Sequence, residues 1–255
     1  MDHITFTVED RVARISFTEP PLNIFSIAMM REINSVLNDC MGRHDLVAVL
    51  FEGGPGSRGF SAGVSIEEHG EETIYQMLES FHSIFRNLQQ LAKPTIAIVD
   101  GAALGGVCEL VLACDIVVAT ERSRFGHPEI KLGVFPPVAC VLLPRIIGEK
   151  RARELILTGE LFDAGDALKL GMINYVVPQE NLNAKSREIL GKLRELSGTS
   201  LEATRRALDI ARGRTFDDGL KLIEDLYLNE LMKTDDSLEG ISAFMEKRKP
   251  VWRNK

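Results

Sequence analysis

The sequence predicts an α/β core followed by a helical C-terminal extension. Short apolar segments typical of strands alternate with amphipathic helical segments up to about residue 177, and only helical patterns follow. The chain has 255 residues, of which 45% are hydrophobic and 26% are charged, so it can bury a sizeable core. We expect a core over residues 1–195 and a helical region over residues 196–255.

The predicted strands are apolar runs bounded by turn residues. They cover residues 4–8 and 12–18, which we expect to form a hairpin, and then residues 46–51, 95–100, 115–119 and 173–177. Apolar residues at helical spacing predict the helices. One predicted helix follows a Ser26 cap, a second begins near Thr73, a third begins at Gly105–Gly106, and a fourth runs toward Ile147. The remaining predicted helices cover residues 150–157, 164–170, 201–212, 216–232 and 238–249.

Charge and composition exclude several classes of partner. The net charge is −7 and the chain has no basic tract, which argues against nucleic acid or an anionic membrane as the main partner. The longest apolar run, residues 107–119, is too short to span a bilayer and contains two acidic residues. The first ten residues have no apolar signal core, and we expect a cytoplasmic protein.

The cysteines and histidines do not indicate a metal site. The four cysteines form no C-x-x-C pair and are interpreted as small core residues of a reducing compartment. None of the five histidines has metal-ligand spacing such as H-E-x-x-H. We therefore expect no metal.

The junction of an apolar strand with a glycine-opened helix is the strongest candidate site. Gly105 and Gly106 lie where the helix begins, and the first amides of a helix have no partner within it. The Gly106 amide could therefore hold a developing negative charge. Glu109 follows one helical turn later, and Glu129 follows a second strand and a loop, so two carboxylates could supply acid–base chemistry there.

The same pattern has a purely structural explanation. A glycine pair at the start of a helix often serves close packing, and a glutamate in a first turn often only complements the helix dipole. Spacing alone leaves both interpretations open.

A short motif at residues 59–63, which reads GFSAG, matches the G-x-S-x-G elbow of serine hydrolases. The elbow requires a sharp turn from strand to helix, whereas seven loop residues precede the motif here. A hydrolase of this type also needs a histidine late in the chain, and none follows His127. We therefore reject this interpretation.

Three ordered motifs carry a resemblance to a known family. They read FSAGVSIE at residues 60–67, GAALGGVCEL at residues 101–110 with Cys-Asp at 114–115, and FGHPEI at residues 125–130. Together with the C-terminal AFMEKRK at residues 243–249, they resemble the crotonase (enoyl-CoA hydratase/isomerase) superfamily over essentially the whole chain.

The resemblance implies a fold and a substrate class. The fold is a crotonase-like spiral of ββα units whose C-terminal helices mediate assembly into trimers, which often pair into hexamers. The substrate is an acyl-coenzyme A thioester, so coenzyme A enters with the substrate and no separate cofactor is expected. Two backbone amides, which match Val64 and Gly106 here, would form an oxyanion hole for the thioester oxygen.

The resemblance also implies where coenzyme A lies. The strip that would line the pantetheine and adenine end comprises Ala62, Val64, Ser65, Ile66 and Glu67. Lys249 matches a position that could meet phosphate, and Trp252 one that could stack on adenine. Lys249 could equally be an ordinary lysine on a solvent-exposed face, with no role in binding.

The two glutamates favour water addition within this family. Hydratases that resemble this chain hold one water between two glutamates, which match Glu109 and Glu129, whereas isomerases typically keep one carboxylate. The alternatives are an isomerase that shifts a double bond, a thioester hydrolase, and a binding protein that has lost activity. Retention of Glu109, Glu129 and Gly106 argues against the last.

Three departures from the hydratase pattern indicate an altered acyl pocket. Val107 replaces a common glycine, Ser65 stands where aspartate is usual, and VFPPVAC at residues 134–140 replaces a glycine-rich stretch. This combination resembles the cyclohexa-1,5-diene-1-carbonyl-CoA hydratases. His69 and His127 could be polar groups of the pocket, but the favoured interpretation of each is an ordinary loop histidine whose hydrogen bonds are satisfied.

Overall fold

The computed structural model describes residues 1–255 and contains two β-sheets. The strands are β1 (Ile4–Glu9), β2 (Val12–Phe17), β3 (Ala48–Gly53), β4 (Thr95–Val99), β5 (Ala102–Leu104), β6 (Ile116–Thr120), β7 (Arg124–Gly126), β8 (Phe162–Asp163) and β9 (Tyr175–Val177). The larger sheet has the order β1-β2-β3-β4-β6-β9, and the smaller has the order β5-β7-β8.

Ten α-helices accompany the sheets. They are α1 (Ile27–Cys40), α2 (Ile74–Leu91), α3 (Gly106–Ala113), α4 (Pro137–Ile147), α5 (Glu149–Thr158), α6 (Ala164–Lys169), α7 (Leu182–Arg194), α8 (Gly198–Ala211), α9 (Phe216–Asn229) and α10 (Asp235–Met245). No strand follows β9, so the α/β core with a helical C-terminal region is confirmed. None of the helices combines the length and the apolar character that a membrane crossing requires.

The larger sheet is parallel except for the predicted hairpin of β1 and β2. Its two faces bury separate apolar clusters, as a parallel sheet covered on both sides must. The main core includes Ile33 of α1, Phe81 of α2 and Leu110 of α3. The other face packs Ile189 and Leu190 of α7 in a smaller cluster. The elements of the candidate site described below therefore belong to the face of the larger sheet that carries α1, α2 and α3.

The start of α1 forms as the sequence predicts. The Ser26 side chain accepts a hydrogen bond from the Met29 amide, with 3.2 Å between Oγ and N. The short strands β5, β7 and β8 were not predicted, because segments of two or three residues carry too little periodicity. The interpretation of all four cysteines as core residues is wrong for Cys140, which is exposed.

The C-terminal helices attach to the core through a buried arginine. Arg205 of α8 donates from Nε to Asp115 Oδ2 over 2.8 Å and from Nη1 to the Leu88 carbonyl over 2.9 Å. Asp115 also accepts from the Thr95 amide and hydroxyl, both at 2.7 Å. The buried Lys93 pairs with Glu202 one turn earlier on α8. The boundary expected at residue 195 falls in the connection between α7 and α8 and stays a prediction.

Replacement of Arg205 by leucine tests this attachment. The change leaves Asp115 without its cation and the Leu88 carbonyl without a donor, so we expect the free energy of unfolding to fall by about 2–4 kcal/mol. Arg206→Leu is the matched control, because Arg206 is exposed and its pair with Glu230 contributes at most about 1 kcal/mol. Denaturant titrations at one protein concentration measure both. Equal effects of the two changes would contradict a structural role of Arg205.

Candidate active site

A strand, a glycine turn and a helix place the first backbone donor. Gly105 joins β5 to α3 with φ +58° and ψ −138°, a conformation that L side chains rarely adopt. Gly106 is the first residue of α3, so its amide has no partner within the helix. The donor thus lies at the positive end of the helix dipole, as the sequence predicts.

The second donor lies on an extended segment beside Phe25. The Phe25 amide donates to the Gly63 carbonyl over 2.9 Å, and the Ser65 amide donates to the Phe25 carbonyl over 3.0 Å. This pairing is that of a parallel bridge between Phe25 and Val64. It leaves the Val64 amide pointing away from Phe25, with no acceptor in the chain.

The residues that carry the two donors, Val64 and Gly106, pack against each other because Gly106 has no side chain. A Cβ atom at Gly106 would lie 2.8 Å from Val64 Cγ2 and 2.8 Å from Phe81 Cζ. Real Cβ atoms essentially never approach so closely, so only glycine fits here. Two adjacent free amides can stabilise negative charge that develops on one oxygen atom.

Glu109 is a carboxyl group buried in the core. Its side chain lies on the first turn of α3, and the residue is 1% exposed. Oε1 accepts a hydrogen bond of 2.7 Å from the Ala139 amide at the start of α4. Burial and the negative charge of Glu129, opposed by the Ala139 amide, together raise the pKa of Glu109 to about 8. This carboxyl group is therefore poised to exchange a proton near neutral pH.

Glu129 lies on the other side of the Gly105 turn. It belongs to a 3₁₀ turn at residues 128–132, and its Oε1 is 3.2 Å from the point where a Cβ of Gly105 would stand. Its Oε2 is buried and has no hydrogen-bond partner. Burial raises the pKa of Glu129 as well. The structure thus brings Val64, Gly106, Glu109 and Glu129 together.

His127 is buried two residues before Glu129. It is 1% exposed, both ring nitrogens lack a hydrogen-bond partner, and burial lowers its pKa to about 4, so the ring is neutral. The expectation of a satisfied loop histidine is therefore wrong for His127. His69 does have a partner, because its Nδ1 lies 2.8 Å from the Ser65 carbonyl oxygen.

The strip predicted to hold coenzyme A leads outward from Val64. The Ala62 amide is used internally and donates to the Leu22 carbonyl over 3.0 Å. Ser65 is half-buried, whereas Ile66 and Glu67 are exposed. The segment therefore runs from the buried donor to the surface, and its role in binding stays a prediction.

Within one chain, the structure does not place Lys249 and Trp252 near the other predicted site residues. Trp252 donates from Nε1 to the Glu195 carbonyl over 2.7 Å and packs on Gly240, while Lys249 is exposed. The neighbouring Arg194 pairs with Asp10 beside the start of β2, whereas Gly106 follows the carboxyl end of β4. The two regions therefore lie at opposite ends of the parallel strands.

Sequence reasoning missed several residues that shape the site. Phe81 was interpreted only as part of the apolar face of α2, and the Ala139 amide cannot be inferred from any side chain. Also missed was a cavity of about 330 Å³ between α2, α3 and α4, into which His82 projects. A histidine on an otherwise apolar helix face was the one available signal.

These features define a class of protein, an enzyme that combines free backbone donors with one buried and one half-buried carboxyl group. The family model of enoyl-CoA hydratase/isomerase matches residues 7–255. A probable enoyl-CoA hydratase of Mycobacterium tuberculosis is 33% identical over 260 residues and covers 100% of both chains. The cyclohexa-1,5-dienecarbonyl-CoA hydratase of Thauera aromatica is 33% identical, over 95% of this chain and 93% of that protein.

Solved structures agree with the sequence comparison. The crystal structure of an enoyl-CoA hydratase from Bacillus anthracis superimposes with a TM-score of 0.93 at 30% identity, over 99% of this chain and 100% of that one. The chain belongs to the enoyl-CoA hydratase/isomerase family and has the crotonase fold. It is an enzyme of the hydro-lyase class, of the enoyl-CoA hydratase type.

The raised pKa of Glu109 predicts how stability depends on pH. The native state holds this proton up to about pH 8, whereas the unfolded chain releases it near 4.5, so stability falls as pH rises between these values. Glu109→Gln removes the titration. We expect the free energy of unfolding of the variant, relative to that of the wild type, to increase by on the order of a few kcal/mol between pH 5 and pH 8.

Unfolding midpoints at several pH values measure this difference. Glu71→Gln is the control, because Glu71 is exposed ahead of α2. Parallel curves for wild type and Glu109→Gln would show that Glu109 ionises in the native state as it does in the unfolded chain.

Proposed function

We propose that the protein adds water across the α,β double bond of an enoyl-CoA thioester. The observation that carries this proposal is the arrangement of the buried Glu109 and the half-buried Glu129 around the turn that presents the Gly106 amide. The family supplies the substrate class, since the matched model is that of enoyl-CoA hydratase/isomerase. No group other than the thioester and water is needed for the reaction as proposed.

The two amides stabilise the charge that forms during the reaction. The thioester oxygen accepts hydrogen bonds from the Val64 and Gly106 amides, and it gains negative charge as a nucleophile attacks the β carbon. Fixed donors in a site that excludes water stabilise this enolate without reorganisation. Because both donors are backbone groups, their position depends on the Gly105 turn and on the bridge between Phe25 and Val64.

The two carboxyl groups manage the protons. One water lies between them; its oxygen bonds to the β carbon, one of its protons passes to a carboxylate, and the α carbon receives a proton from the carboxyl pair. The sum is one water added and no net change in the enzyme. Burial raises the pKa of both glutamates, so the pair holds a proton at neutral pH and can accept one and donate one.

We propose a cyclic dienoyl thioester, cyclohexa-1,5-diene-1-carbonyl-CoA, as the candidate substrate. Support comes from the relative of that name at 33% identity and from the proline pair at residues 136–137, which precedes the Ala139 amide. Crotonyl-CoA is the linear comparison. Product masses with each substrate discriminate between a ring-selective and a chain-selective enzyme.

Substitution of the two glutamates tests the mechanism. Glu109→Gln and Glu129→Gln keep volume but abolish basicity, and we expect each to lower turnover at least about 100-fold. The double variant should be little worse than the worse single variant, because residues that act as a unit are not additive. Incorporation of labelled solvent oxygen into the product measures hydration directly.

Each alternative activity gives a different result in the same assay. An isomerase shifts the double bond without solvent oxygen and needs only one of the two glutamates. A thioester hydrolase releases free coenzyme A. Near-normal hydration by Glu129→Gln would end the two-carboxylate mechanism and leave Glu109 as the single acid–base group. A shifted double bond without solvent oxygen would instead support an isomerase centred on Glu109.

We also propose that the protein assembles into a trimer or hexamer through its C-terminal helices. Helices α9 and α10 expose large apolar side chains that one chain does not cover, among them Leu220, Tyr227, Ile241, Phe244 and Met245. An exposed patch of this kind marks an interaction surface. Such an assembly could also bring Lys249 and Trp252 of one chain near the site of another.

Light scattering of the purified protein tests the assembly. We expect a mass of three or six chains of 28.3 kDa. Phe244→Glu should shift the mass toward the monomer, because a charge buried in an interface without a partner is costly. Tyr75→Glu is the control, as Tyr75 is an exposed aromatic residue on α2. A monomeric wild type at micromolar concentration would refute the proposal.

A further inference from the structure

Two hollows that share lining residues lie between α4 and the end of α8. Their volumes are about 630 Å³ and about 400 Å³, and Arg145 and Arg212 line both of them. The smaller hollow also reaches Ala113, the last residue of α3, whereas Gly106 is the first residue of that helix, about 10 Å away. No residue of the proposed reaction centre lines either hollow. We call the two hollows together the arginine cleft, and it is separate from the reaction centre.

The arginine cleft has an excess of positive charge, although the chain carries a net charge of −7. Two arginines line each hollow against one aspartate, which is Asp209 in the larger hollow and Asp115 in the smaller. Asp209 accepts a hydrogen bond of 2.7 Å from Arg212, and Asp115 accepts one of 2.8 Å from Arg205. Arg145 has no ion pair and no side-chain hydrogen bond within the chain. An anion can therefore bind Arg145 without displacing an internal partner.

Neutral donors adjoin the two arginines. Asn174 lines the smaller hollow, and its Oδ1 accepts from the Val117 amide over 2.7 Å, so its Nδ2 remains free to donate. Gln89 lines the larger hollow and adds a second side-chain amide. A guanidinium group binds a carboxylate through two parallel hydrogen bonds, and Arg145 and Arg212 supply two such groups. The cleft therefore offers the donors that a carboxylate requires.

One wall of the smaller hollow is apolar. Leu142 and Ile146, one turn apart on α4, form this wall together with Leu112 and Met172. Leu142 is half-buried and Ile146 is 36% exposed, so apolar surface remains that a ligand can remove from water. The larger hollow has no apolar residue in its lining. A ligand that fits both hollows therefore has a charged head where they meet and an apolar body on the side of the smaller hollow.

We propose that the arginine cleft is a second binding site, which takes a free carboxylic acid with an apolar body. The carboxylate pairs with Arg145 and Arg212, and the body lies against Leu142 and Ile146. The bound acid joins α4 to the end of α8. The proposal does not rest on the proposed reaction, because the cleft and the reaction centre share no residue.

Calorimetric titration of the purified protein with octanoate tests the site. We expect one molecule to bind per chain, at least about tenfold more tightly than acetate or inorganic phosphate, because neither of these anions has an apolar body to remove from water. Octan-1-ol has the body without the charge. It should bind at least about tenfold more weakly than octanoate, because charge-assisted hydrogen bonds to a guanidinium are the strong ones.

Variants of Arg145 locate the bound carboxylate. Arg145→Gln should weaken octanoate binding at least about tenfold, and Arg145→Lys should restore part of the loss, because it keeps the charge but not the planar fork. Arg212→Gln should weaken binding in the same direction. Arg187→Gln is the matched control, since Arg187 is an exposed arginine of α7 that also has no partner, and it should leave the affinity unchanged. Circular dichroism checks that each variant is folded.

Competition separates the cleft from the reaction centre. Saturated butyryl-CoA should leave the affinity for octanoate unchanged, and displacement of octanoate by butyryl-CoA would overturn the proposal. Equal affinities of the wild type and Arg145→Gln overturn it as well, and so does equal binding of octanoate and octan-1-ol or the absence of octanoate binding. If butyryl-CoA itself does not bind, the proposed function is in question, and the Arg145 variants still decide whether the cleft binds a carboxylate.

Discussion

The hydrogen bond between the Ala139 amide and Glu109 is the interaction on which the site depends. A carboxyl group that is 1% exposed loses its hydration, and one backbone donor at 2.7 Å offsets part of that cost. The bond also joins the first turn of α3 to the first turn of α4. The same contact therefore fixes the orientation of the Glu109 carboxyl group, limits the rise in its pKa that burial causes, and positions α4, which forms one wall of the cavity between α2, α3 and α4.

A second constraint is the absence of a side chain at Gly106. Three separate parts of the chain converge on this position: the start of α3, the segment that carries Val64, and Phe81 of α2. A methyl group would force them apart, since it would stand 2.8 Å from two of their carbon atoms. Close packing therefore explains the glycine at position 106, and the two interpretations that the sequence left open do not exclude each other, because the amide of the same residue is the donor in the proposed reaction.

The sequence predicted the elements that have clear periodicity and the site residues that belong to linear motifs. The large sheet, the Ser26 cap and the proximity of Gly106, Glu109 and Glu129 follow from local pattern. The Ala139 amide and the unpaired His82 could not be predicted, because each depends on how two helices approach in space. The smaller sheet was not predicted for a related reason. Its strands have only two or three residues, and they are recognised as strands only by the neighbouring strands with which they pair.

The attachment of α8 links the stability of the protein to the shape of the cavity between α2, α3 and α4. Arg205 and Arg212 lie at the far end of the cavity, and Arg205 is held there by Asp115 at the start of β6. The shape of this cavity therefore depends on where α8 rests against the core. The helices that close the cavity also lead into the exposed apolar surface of α9 and α10. The core, the wall of the cavity and the exposed apolar surface therefore share one set of helices, so a change that loosens α8 affects all three.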